Sequence, residues 1–204
     1  MSKIISISRE FGSGGREIGF RLAQKLGIPF YDKELITMAS ESSNISAELF
    51  QANDEMIAKK EHPNNTYATT DPFSPTYEIP VSDQLFVIQT KIIKHLAQQG
   101  PCVIIGRCSD MIIEDAFKVF ICASTKSRVE RLMSLEEDPS IDRKQMEARI
   151  RTIDKKRKEY YQFYTGNERG KPKNYDICLN SGNLGIEECV EIIANLVTKG
   201  DAQL

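Results

Sequence analysis

The sequence predicts an α/β fold in which a parallel sheet is wrapped by helices. Short apolar runs alternate with helical patterns along the chain, which is typical of strands joined by crossover helices. A strand, a glycine-rich turn and a helix follow one another near the N-terminus, and positive charges follow several strand ends. The 204 residues, 40% of them hydrophobic, suffice for one large α/β domain but are few for two.

Five short apolar segments are predicted to be the strands. Each is bounded by polar or turn residues and is too short to be a helix. The five segments are residues 4–8, 29–31, 102–105, 119–122 and Ile177–Asn180.

Apolar residues at helical spacing predict two helices between and after these strands. The first helix carries Leu85, Ile88, Ile92 and Leu96, and the second carries Ile186, Val190, Ile193 and Val197. Gly100 and Pro101 end the first helix by removing helix propensity and a backbone donor. Residues 61–80, rich in Pro, Asn and Thr, are predicted to be a loop. This loop is either a ligand-binding insertion or lid, or a disordered surface excursion.

The net charge of −2 gives no general attraction to nucleic acid or membranes, so any anion site must be local. No hydrophobic run is long enough to span a membrane and no signal peptide pattern is present, so we expect a cytoplasmic location. The cysteines lack metal-ligand spacing, and we expect them to act as buried small hydrophobes. They are Cys102, Cys108, Cys122, Cys178 and Cys189. His95 is expected at a surface or in packing, while His62 begins the loop and is a weak candidate for ligand contact.

The turn at residues 11–17 is suited to phosphate. Its glycines permit positive φ and leave room for a ligand's oxygens, and the following helix N-terminus favours negative charge. The match to the phosphate-loop pattern G-x-x-x-x-G-K-[ST] is partial. Glu10 stands in place of the first glycine, Arg16 in place of the lysine and Glu17 in place of the hydroxyl residue.

Arginines after the strands are candidate phosphate ligands, because open α/β sheets bind ligands at their carboxyl edge. Arg16 lies in the glycine turn and Arg107 directly follows a buried strand. A helical segment from residue 127 to about 158 carries further arginines among acids, most of which we expect on a solvated face. They are Arg128, Arg131, Arg143, Arg149, Arg151 and Arg157.

Arg157 differs from its neighbours because it lies within an apolar stripe of a helix predicted over residues 142–164. The stripe consists of Met146, Ile150, Ile153, Tyr160 and Tyr164. An inward arginine needs an anionic partner, since burying an unpaired charge costs several kcal/mol. Phosphate recognition is favoured over a structural salt bridge or a side chain whose charge reaches solvent. Asp154, one turn earlier, is placed to orient the arginine.

Asp32 follows the strand at residues 29–31 and has two interpretations. It is a good N-cap for a helix over residues 33–39. A carboxylate at this position could equally bind the water shell of magnesium or orient an acceptor phosphate.

Six segments together resemble the cytidylate kinase-like family of nucleoside-monophosphate kinases, over nearly the whole chain. They are ISREFGSGGREIG at 7–19, FYDKELI at 30–36, VIIGRCSD at 103–110, FICASTKSRVERL at 120–132, IDKKRKEYYQFYTG at 153–166 and NYDICLNSGNLGIEE at 174–188. Their order and spacing are more specific than the glycine turn alone. They look like the branch that carries SREFGSGG in place of a regular Walker sequence.

The resemblance implies a P-loop NTPase fold, a three-layer α/β/α domain with a parallel five-stranded sheet. The core would comprise residues 1–43, 84–134 and 171–204. An acceptor-binding insertion would occupy about 44–83, and a helical lid about 135–170.

The resemblance also implies ATP and Mg²⁺ as cofactors and small-molecule nucleotides as substrates. The donor phosphates would be cradled by Gly12, Ser13, Gly14, Gly15, Arg16 and Glu17. Because Glu17 replaces the hydroxyl residue that would bind magnesium, Ser13 could supply that oxygen instead. The Glu17 carboxylate could reach the metal, repel the triphosphate or simply stabilise the helix N-terminus. Asp32 would help place the acceptor, and Arg107 matches the arginine of a GR pair. Arg128 or Arg131 matches the arginines after the fourth strand, while Asp154 and Arg157 match the D-x-x-R of the lid.

Three functions follow as hypotheses. The first is ATP-dependent phosphorylation of a nucleoside monophosphate, nominally cytidylate. The second is a kinase for another small phosphate or alcohol, and the third is a nucleotide-binding regulatory module without turnover. The D-x-x-R residues favour the kinases, whereas Arg16 and Glu17 favour the binding module.

Overall fold

The computed structural model describes residues 4–32, 35, 37, 38 and 81–199. The predicted loop at 61–80, His62 and most of the predicted insertion lie outside these residues. Of the helix expected over residues 33–39, Leu35, Thr37 and Met38 are described, and all three are helical.

A five-stranded, all-parallel sheet forms the centre of the domain, as the sequence predicted. The strands are β1 (Ile5–Arg9), β2 (Phe30–Tyr31), β3 (Val103–Ile105), β4 (Phe117–Cys122) and β5 (Ile177–Asn180). Their order is β2-β3-β1-β4-β5. The strand that leads into the glycine turn is therefore central, and β3, which leads to Arg107, is its hydrogen-bonded neighbour.

Seven α-helices with described ends surround this sheet, in addition to the helical residues Leu35, Thr37 and Met38 and a short 3-10 helix at Pro172–Asn174. The seven are α1 (Gly15–Leu26), α2 (Val81–Gln99), α3 (Ser109–Ile112), α4 (Thr125–Met133), α5 (Arg143–Thr165), α6 (Ser181–Leu184) and α7 (Ile186–Lys199). The start of α5 is fixed by a capping box, in which Asp142 accepts from the Gln145 N–H and the Gln145 side chain accepts from the Asp142 N–H. Ser124 caps α4 by accepting from the N–H of Ser127. None of the described helices is long and apolar enough to cross a membrane.

The strand side chains alternate between two cores, which makes the domain three layers thick. Ile5, Ile7 and Ile105 pack with α1 and α7 on one face of the sheet. Ile4 and Ile104 pack with α2 on the other face.

Helix α5 is anchored at both ends. Near its start, Met146 and Ile150 pack on Val129 of α4, with Phe11 of the glycine turn alongside. Near its end, an aromatic cluster joins α5 to α2 and to the start of α3. The cluster consists of Phe86, Cys108, Tyr160, Tyr161 and Tyr164. The rings of Phe86 and Tyr164 are stacked with centroids 4.0 Å apart, so α5 lies across the carboxyl edge of the sheet.

The cysteines follow the expectation of burial in part. Cys102, Cys108 and Cys189 are buried, Cys122 is half-buried and Cys178 is exposed, and all five are free thiols. Cys178 is exposed because it lies on the edge strand β5, where alternate side chains face outward. Burial raises the pKa of Cys102 to about 11, which makes that thiol unreactive. His95 is exposed on α2 and contacts Gln99 at 2.9 Å.

Candidate active site

The glycine turn connects β1 to α1 in a conformation that other residues would strain. Gly12 and Gly14 have φ of 80° and 78°, and Gly14 is the N-cap of α1. A Cβ on Gly12 would lie 2.8 Å from Cδ1 of Leu132, and one on Gly15 would lie 2.5 Å from Cβ of Arg9. Because Gly14 has no side chain to cap α1, a ligand can approach the N–H groups of its first turn.

A cavity of about 480 Å³ opens beside this turn. It is lined by Arg16 of α1, Arg131 of α4 and Arg157 of α5, together with Glu17 and Gly12. The structure thus brings three of the predicted arginines from three different helices to one cavity. Positive charge and a helix N-terminus at the same place are suited to a polyphosphate.

Arg16 is held by Asp32. Nε of Arg16 donates to Oδ2 of Asp32 at 2.6 Å, and the guanidinium lies 5.8 Å from the ring centroid of Phe30. The Asp32 side chain is only 7% exposed, whereas that of Arg16 is 57% exposed. Asp32 therefore contacts the cation of the glycine turn in addition to preceding a helix.

The two candidate magnesium ligands are engaged elsewhere. The Ser13 hydroxyl is buried and donates to the carbonyl of Glu10 at 2.9 Å. Glu17 borders the cavity but accepts from Nη2 of Arg21 at 2.5 Å. No group of three or more His, Cys, Asp or Glu residues poised for a metal occurs within the described part of the chain.

Arg128 does not line the cavity, in contrast to Arg131. Nη1 of Arg128 donates to Oδ2 of Asp154 at 2.5 Å, and its Nε lies 3.7 Å from Oε2 of Glu10. Asp154 also accepts from the N–H of Phe11 at 2.8 Å. We call these three charged residues the Glu10–Arg128–Asp154 brace. Arg131, by comparison, has Nη1 3.5 Å from the carbonyl oxygen of Gly12 at the cavity.

A second, much smaller cavity of about 10 Å³ adjoins the first. Four arginines line it, from the end of β1, the turn after β3, helix α5 and the loop after α5. They are Arg9, Arg107, Arg157 and Arg169. Arg9 and Arg157 line both cavities, and Nη2 of Arg169 donates to the carbonyl of Arg9. Four arginine residues around a space with room for about one water molecule concentrate positive charge at this point of the sheet edge.

The backbone that carries Arg107 is strained. Gly106, Arg107 and Cys108 have φ of 68°, 54° and 57°, and left-handed conformations are costly for the last two. Strain of this kind costs about 1–3 kcal/mol per residue and collects at functional sites. The turn delivers the Arg107 side chain, 5% exposed as a residue, to the small cavity.

A buried pair fixes α5 beside this turn. The Tyr161 hydroxyl donates to Oδ2 of Asp110 at 2.7 Å. Burial raises the pKa of Asp110, although the hydrogen bond from Tyr161 and the charges of Lys118 and Arg169 act in the opposite direction. Burial and the neighbouring carboxylate also raise the pKa of Tyr161. The contact ties the helix that carries Arg157 to the turn that carries Arg107.

Other arginines of the predicted charged segment face solvent. Arg149 donates to Glu136 at 2.9 Å and lies 5.9 Å from the ring of Phe11, while Arg151 pairs with Glu147 at 3.7 Å on one exposed helix face. Sequence reasoning did not single out Arg9 or Arg169. Arg9 is the last residue of β1, and its place at a strand end next to the glycine turn is the signal that could have identified it.

The central β1 strand, the glycine turn and the arginines that face it are typical of the P-loop kinase-like fold. A family model described as cytidylate kinase-like matches residues 4–183. The chain belongs to the cytidylate kinase-like family. A search of curated proteins found no significant match.

Solved structures support the same fold. An uncharacterized protein from Eubacterium ventriosum ATCC 27560 is 24% identical with a TM-score of 0.69, over 96% of this chain and 98% of that chain. A shikimate kinase from Bacteroides thetaiotaomicron is 15% identical with a TM-score of 0.55, over 97% and 99%. A sugar kinase from Janibacter sp. HTCC2649 is 13% identical with a TM-score of 0.51, over 97% and 95%.

Proposed function

We propose that the protein transfers a phosphoryl group from ATP to a nucleoside monophosphate, nominally cytidylate. The observation that carries the proposal is the position of Arg157, which lines both the cavity at the glycine turn and the small arginine cavity. A cation between two phosphate subsites can neutralise charge on a group that moves from one to the other.

The larger cavity fits the donor. Gly12 and Gly14 let Leu132 and Arg131 pack directly against the turn, where a Cβ would clash with them, and this close packing holds the Arg131 guanidinium beside the backbone that would bind a triphosphate. Arg131 and Arg16 border the same space and would bind the phosphate oxygens through their planar guanidinium groups. The volume of about 480 Å³ lies in the range of small-molecule sites.

Magnesium would neutralise phosphate charge when it is bound with ATP. Ser13 as placed does not fit the metal, because its hydroxyl is buried and donates to a carbonyl. Glu17 borders the cavity, and we propose it as the protein oxygen nearest the metal. The charge that this chain itself supplies to the phosphates comes from arginines.

The cluster of arginines around the small cavity supports a phosphorylated acceptor, whose phosphate would have to part these side chains because the space itself admits about one water molecule. Arg107 and Arg157, joined there by Arg9 and Arg169, would bind the phosphate of the acceptor. Asp32 lies one strand further along the sheet and holds Arg16, which places a carboxylate near the acceptor side. We propose that the remainder of the acceptor lies toward the predicted insertion at 44–83.

The chemistry requires alignment and exclusion of water more than covalent help. Helix α5 covers the carboxyl edge of the sheet and brings Arg157 over the glycine turn, with its guanidinium 5.7 Å from the ring of Phe11. We propose that this helix forms the lid and that its cover limits hydrolysis, which is the competing reaction.

Two other functions have some support. The fold relatives include proteins titled shikimate kinase and sugar kinase, so a kinase with an alcohol acceptor is the second candidate. The four-arginine cavity favours a phosphorylated acceptor over an unphosphorylated alcohol. The pairing of Arg16 with Asp32 and of Glu17 with Arg21 favours the third candidate, a nucleotide-binding module without turnover.

A direct assay distinguishes the three. The protein is incubated with Mg-ATP and either CMP, dCMP, UMP, AMP, GMP or shikimate, and products are separated by anion exchange, with ATP binding measured by calorimetry. Formation of CDP from CMP is the expected result. Product from shikimate alone would support the second candidate, and ATP binding with no product from any acceptor would support the third.

A further inference from the structure

We propose that Glu10 is a positioning residue, which acts through Arg128 to hold the glycine turn and helix α5 in one arrangement. Glu10 also lines the larger cavity, where loss of its negative charge would by itself strengthen the binding of ATP, so weaker binding would identify the effect through Arg128. The assignment of the glycine turn to the donor phosphates rests on the proposed function. The contacts that form the Glu10–Arg128–Asp154 brace are independent of that assignment.

Glu10 is attached to the sheet twice. Its backbone N–H donates to the carbonyl of Ile121 at 2.9 Å, which continues the pairing of β1 with β4. Its side-chain Oε2 accepts from the N–H of Ala123 at 3.0 Å, just beyond the end of β4. A glycine at this position would make only the backbone contact, so the carboxylate adds a second fixed point at the entrance of the turn.

Arg128 on helix α4 contacts Glu10 at the end of β1, Phe11 of the glycine turn and Asp154 of helix α5, and so links these parts of the chain. It is 8% exposed and lies between two carboxylates, with Nε 3.7 Å from Glu10 and Nη1 2.5 Å from Asp154. The same Nη1 lies 3.4 Å from the carbonyl oxygen of Phe11. A buried guanidinium is costly unless carboxylates surround it, so these contacts depend on one another.

Phe11 contacts two members of the brace, Asp154 and Arg128, through its backbone. Its N–H donates to Asp154 and its carbonyl faces Arg128, so both peptide groups of the residue before Gly12 are held by charged side chains. The turn that follows contains two glycines in left-handed conformations, and glycine restricts the backbone least. The brace therefore restricts the backbone at the start of the glycine turn, which the glycines themselves do not do.

The brace also sets the position of Arg157. Asp154 and Arg157 lie about one turn apart on α5, so a helix fixed at Asp154 presents Arg157 to the two cavities. Loss of the Glu10 charge would leave the buried Arg128 compensated by Asp154 alone, so the guanidinium would shift toward Asp154 and would disturb the donor subsite and Arg157 together. Arg128 is by this argument a positioning residue, and Arg131 is the arginine of α4 that contacts the ligand.

The test compares Glu10→Gln, Asp154→Asn and the double variant with wild type. Glutamine keeps an oxygen for the N–H of Ala123 and removes only the charge that faces Arg128. Glu159→Gln is the matched control, because it removes one carboxylate from the exposed face of α5, where Glu159 pairs with Lys155 at 3.8 Å. Binding of Mg-ATP is measured by calorimetry, exchange of the Phe11 amide by NMR, and folding by thermal unfolding.

We expect each single variant to weaken Mg-ATP binding by about tenfold, within the range seen for coupled charge networks. The double variant should be no weaker than the worse single variant by more than about twofold, because both act through Arg128. The Phe11 amide should exchange faster in all three, and Glu159→Gln should match wild type. Wild-type affinity and wild-type Phe11 exchange in Glu10→Gln, or effects that multiply in the double variant, would overturn the proposal.

Arg128→Lys covers the case in which Glu10→Gln does not fold. Lysine keeps the charge but lacks the fork that reaches Glu10 and Asp154 together, so it should reproduce both changes. A lysine variant with wild-type affinity and exchange would also overturn the proposal. If wild type shows no turnover with any acceptor, the proposed function fails while the affinity and exchange measurements still decide the role of Glu10.

Discussion

Nε of Arg16 lies 2.6 Å from Oδ2 of Asp32, which joins the cation of the glycine turn to the carboxylate that follows β2. Asp32 is buried and Arg16 is largely exposed, so the carboxylate is the fixed member of the pair and the arginine is oriented by it. The glycine turn and the end of β2 are therefore linked through one ion pair.

The first prediction concerns this pair. Asp32→Asn should raise the KM for ATP by about tenfold, which corresponds to about 1.4 kcal/mol, because Arg16 loses the charge that orients it. Steady-state kinetics with saturating acceptor measure the effect. Asp115→Asn, an exposed carboxylate before β4, is the control and should behave as wild type. An unchanged KM for ATP in Asp32→Asn would contradict the orienting role.

Arg157→Ala should lower kcat strongly with little loss of stability. Removal of a charge that neutralises the transferring group costs about 10²- to 10³-fold in comparable sites. Arg151→Ala is the matched control on the same helix, where Arg151 is exposed and pairs with Glu147. Rates are compared at saturating substrates, and unfolding temperatures check the fold. Wild-type turnover in Arg157→Ala would remove this residue from the mechanism.

Gly14→Ala and Gly27→Ala separate the cost of the left-handed backbone from displacement of the Arg131 side chain that borders the proposed donor subsite. Both glycines have positive φ, of 78° and 65°, so alanine costs about 1–2 kcal/mol of stability at either position. A Cβ on Gly14 would lie 2.5 Å from Cδ1 of Ile186 and against the guanidinium of Arg131, whereas a Cβ on Gly27 meets nothing within 4 Å. Calorimetry should show ATP binding lost in Gly14→Ala and kept in Gly27→Ala. Equal affinities would show that the turn does not cradle the donor.

The Asp110–Tyr161 pair predicts a pH dependence of stability. Burial raises the pKa of Asp110 above its ordinary value of 3.8, so above about pH 4 the folded state keeps a proton that the unfolded state has lost. Wild-type stability therefore falls as the pH rises from the unfolded pKa through the folded pKa. Asp110→Asn keeps an oxygen for Tyr161 and does not titrate.

Urea unfolding across this pH range measures the difference in the free energy of unfolding between Asp110→Asn and wild type. The difference should shift in favour of the variant as the pH rises above about 4. Asp115→Asn should show no such trend, since its carboxylate is exposed. A difference that is constant with pH would show that Asp110 titrates normally in the folded protein.

Local patterns were sufficient to predict the sheet and its main helices. The strand Ile177–Asn180 has its predicted bounds, and β1 differs by one residue at each end. Strand β4 begins at Phe117, two residues before the predicted start, because Phe117 and Lys118 pair with Ile5 and Ser6 of β1. Pairing between strands, which a single segment does not reveal, sets that boundary.

The roles of individual charges were harder to predict. Arg128 and Arg131 lie on the same helix after β4, and the sequence left open which of them meets the ligand. In the structure Arg128 faces Glu10, whereas Arg131 lines the cavity. Glu10 is itself held by the N–H of Ala123, 113 residues further along the chain. Such a contact leaves no periodic signal, so neither the brace nor the burial of Arg128 within it could be inferred from spacing.

The pairing of β1 with β3 fixes the distance between the two strands that lead into the candidate site. Ile7 lies opposite Ile105, so β1 and β3 run side by side up to the glycine turn and the turn that carries Arg107. Neighbouring strands are about 4.8 Å apart, a distance set by backbone hydrogen bonds that side-chain substitutions do not alter. Substitution of the arginines or of the helix above them therefore leaves unchanged the spacing of the two strands that carry them.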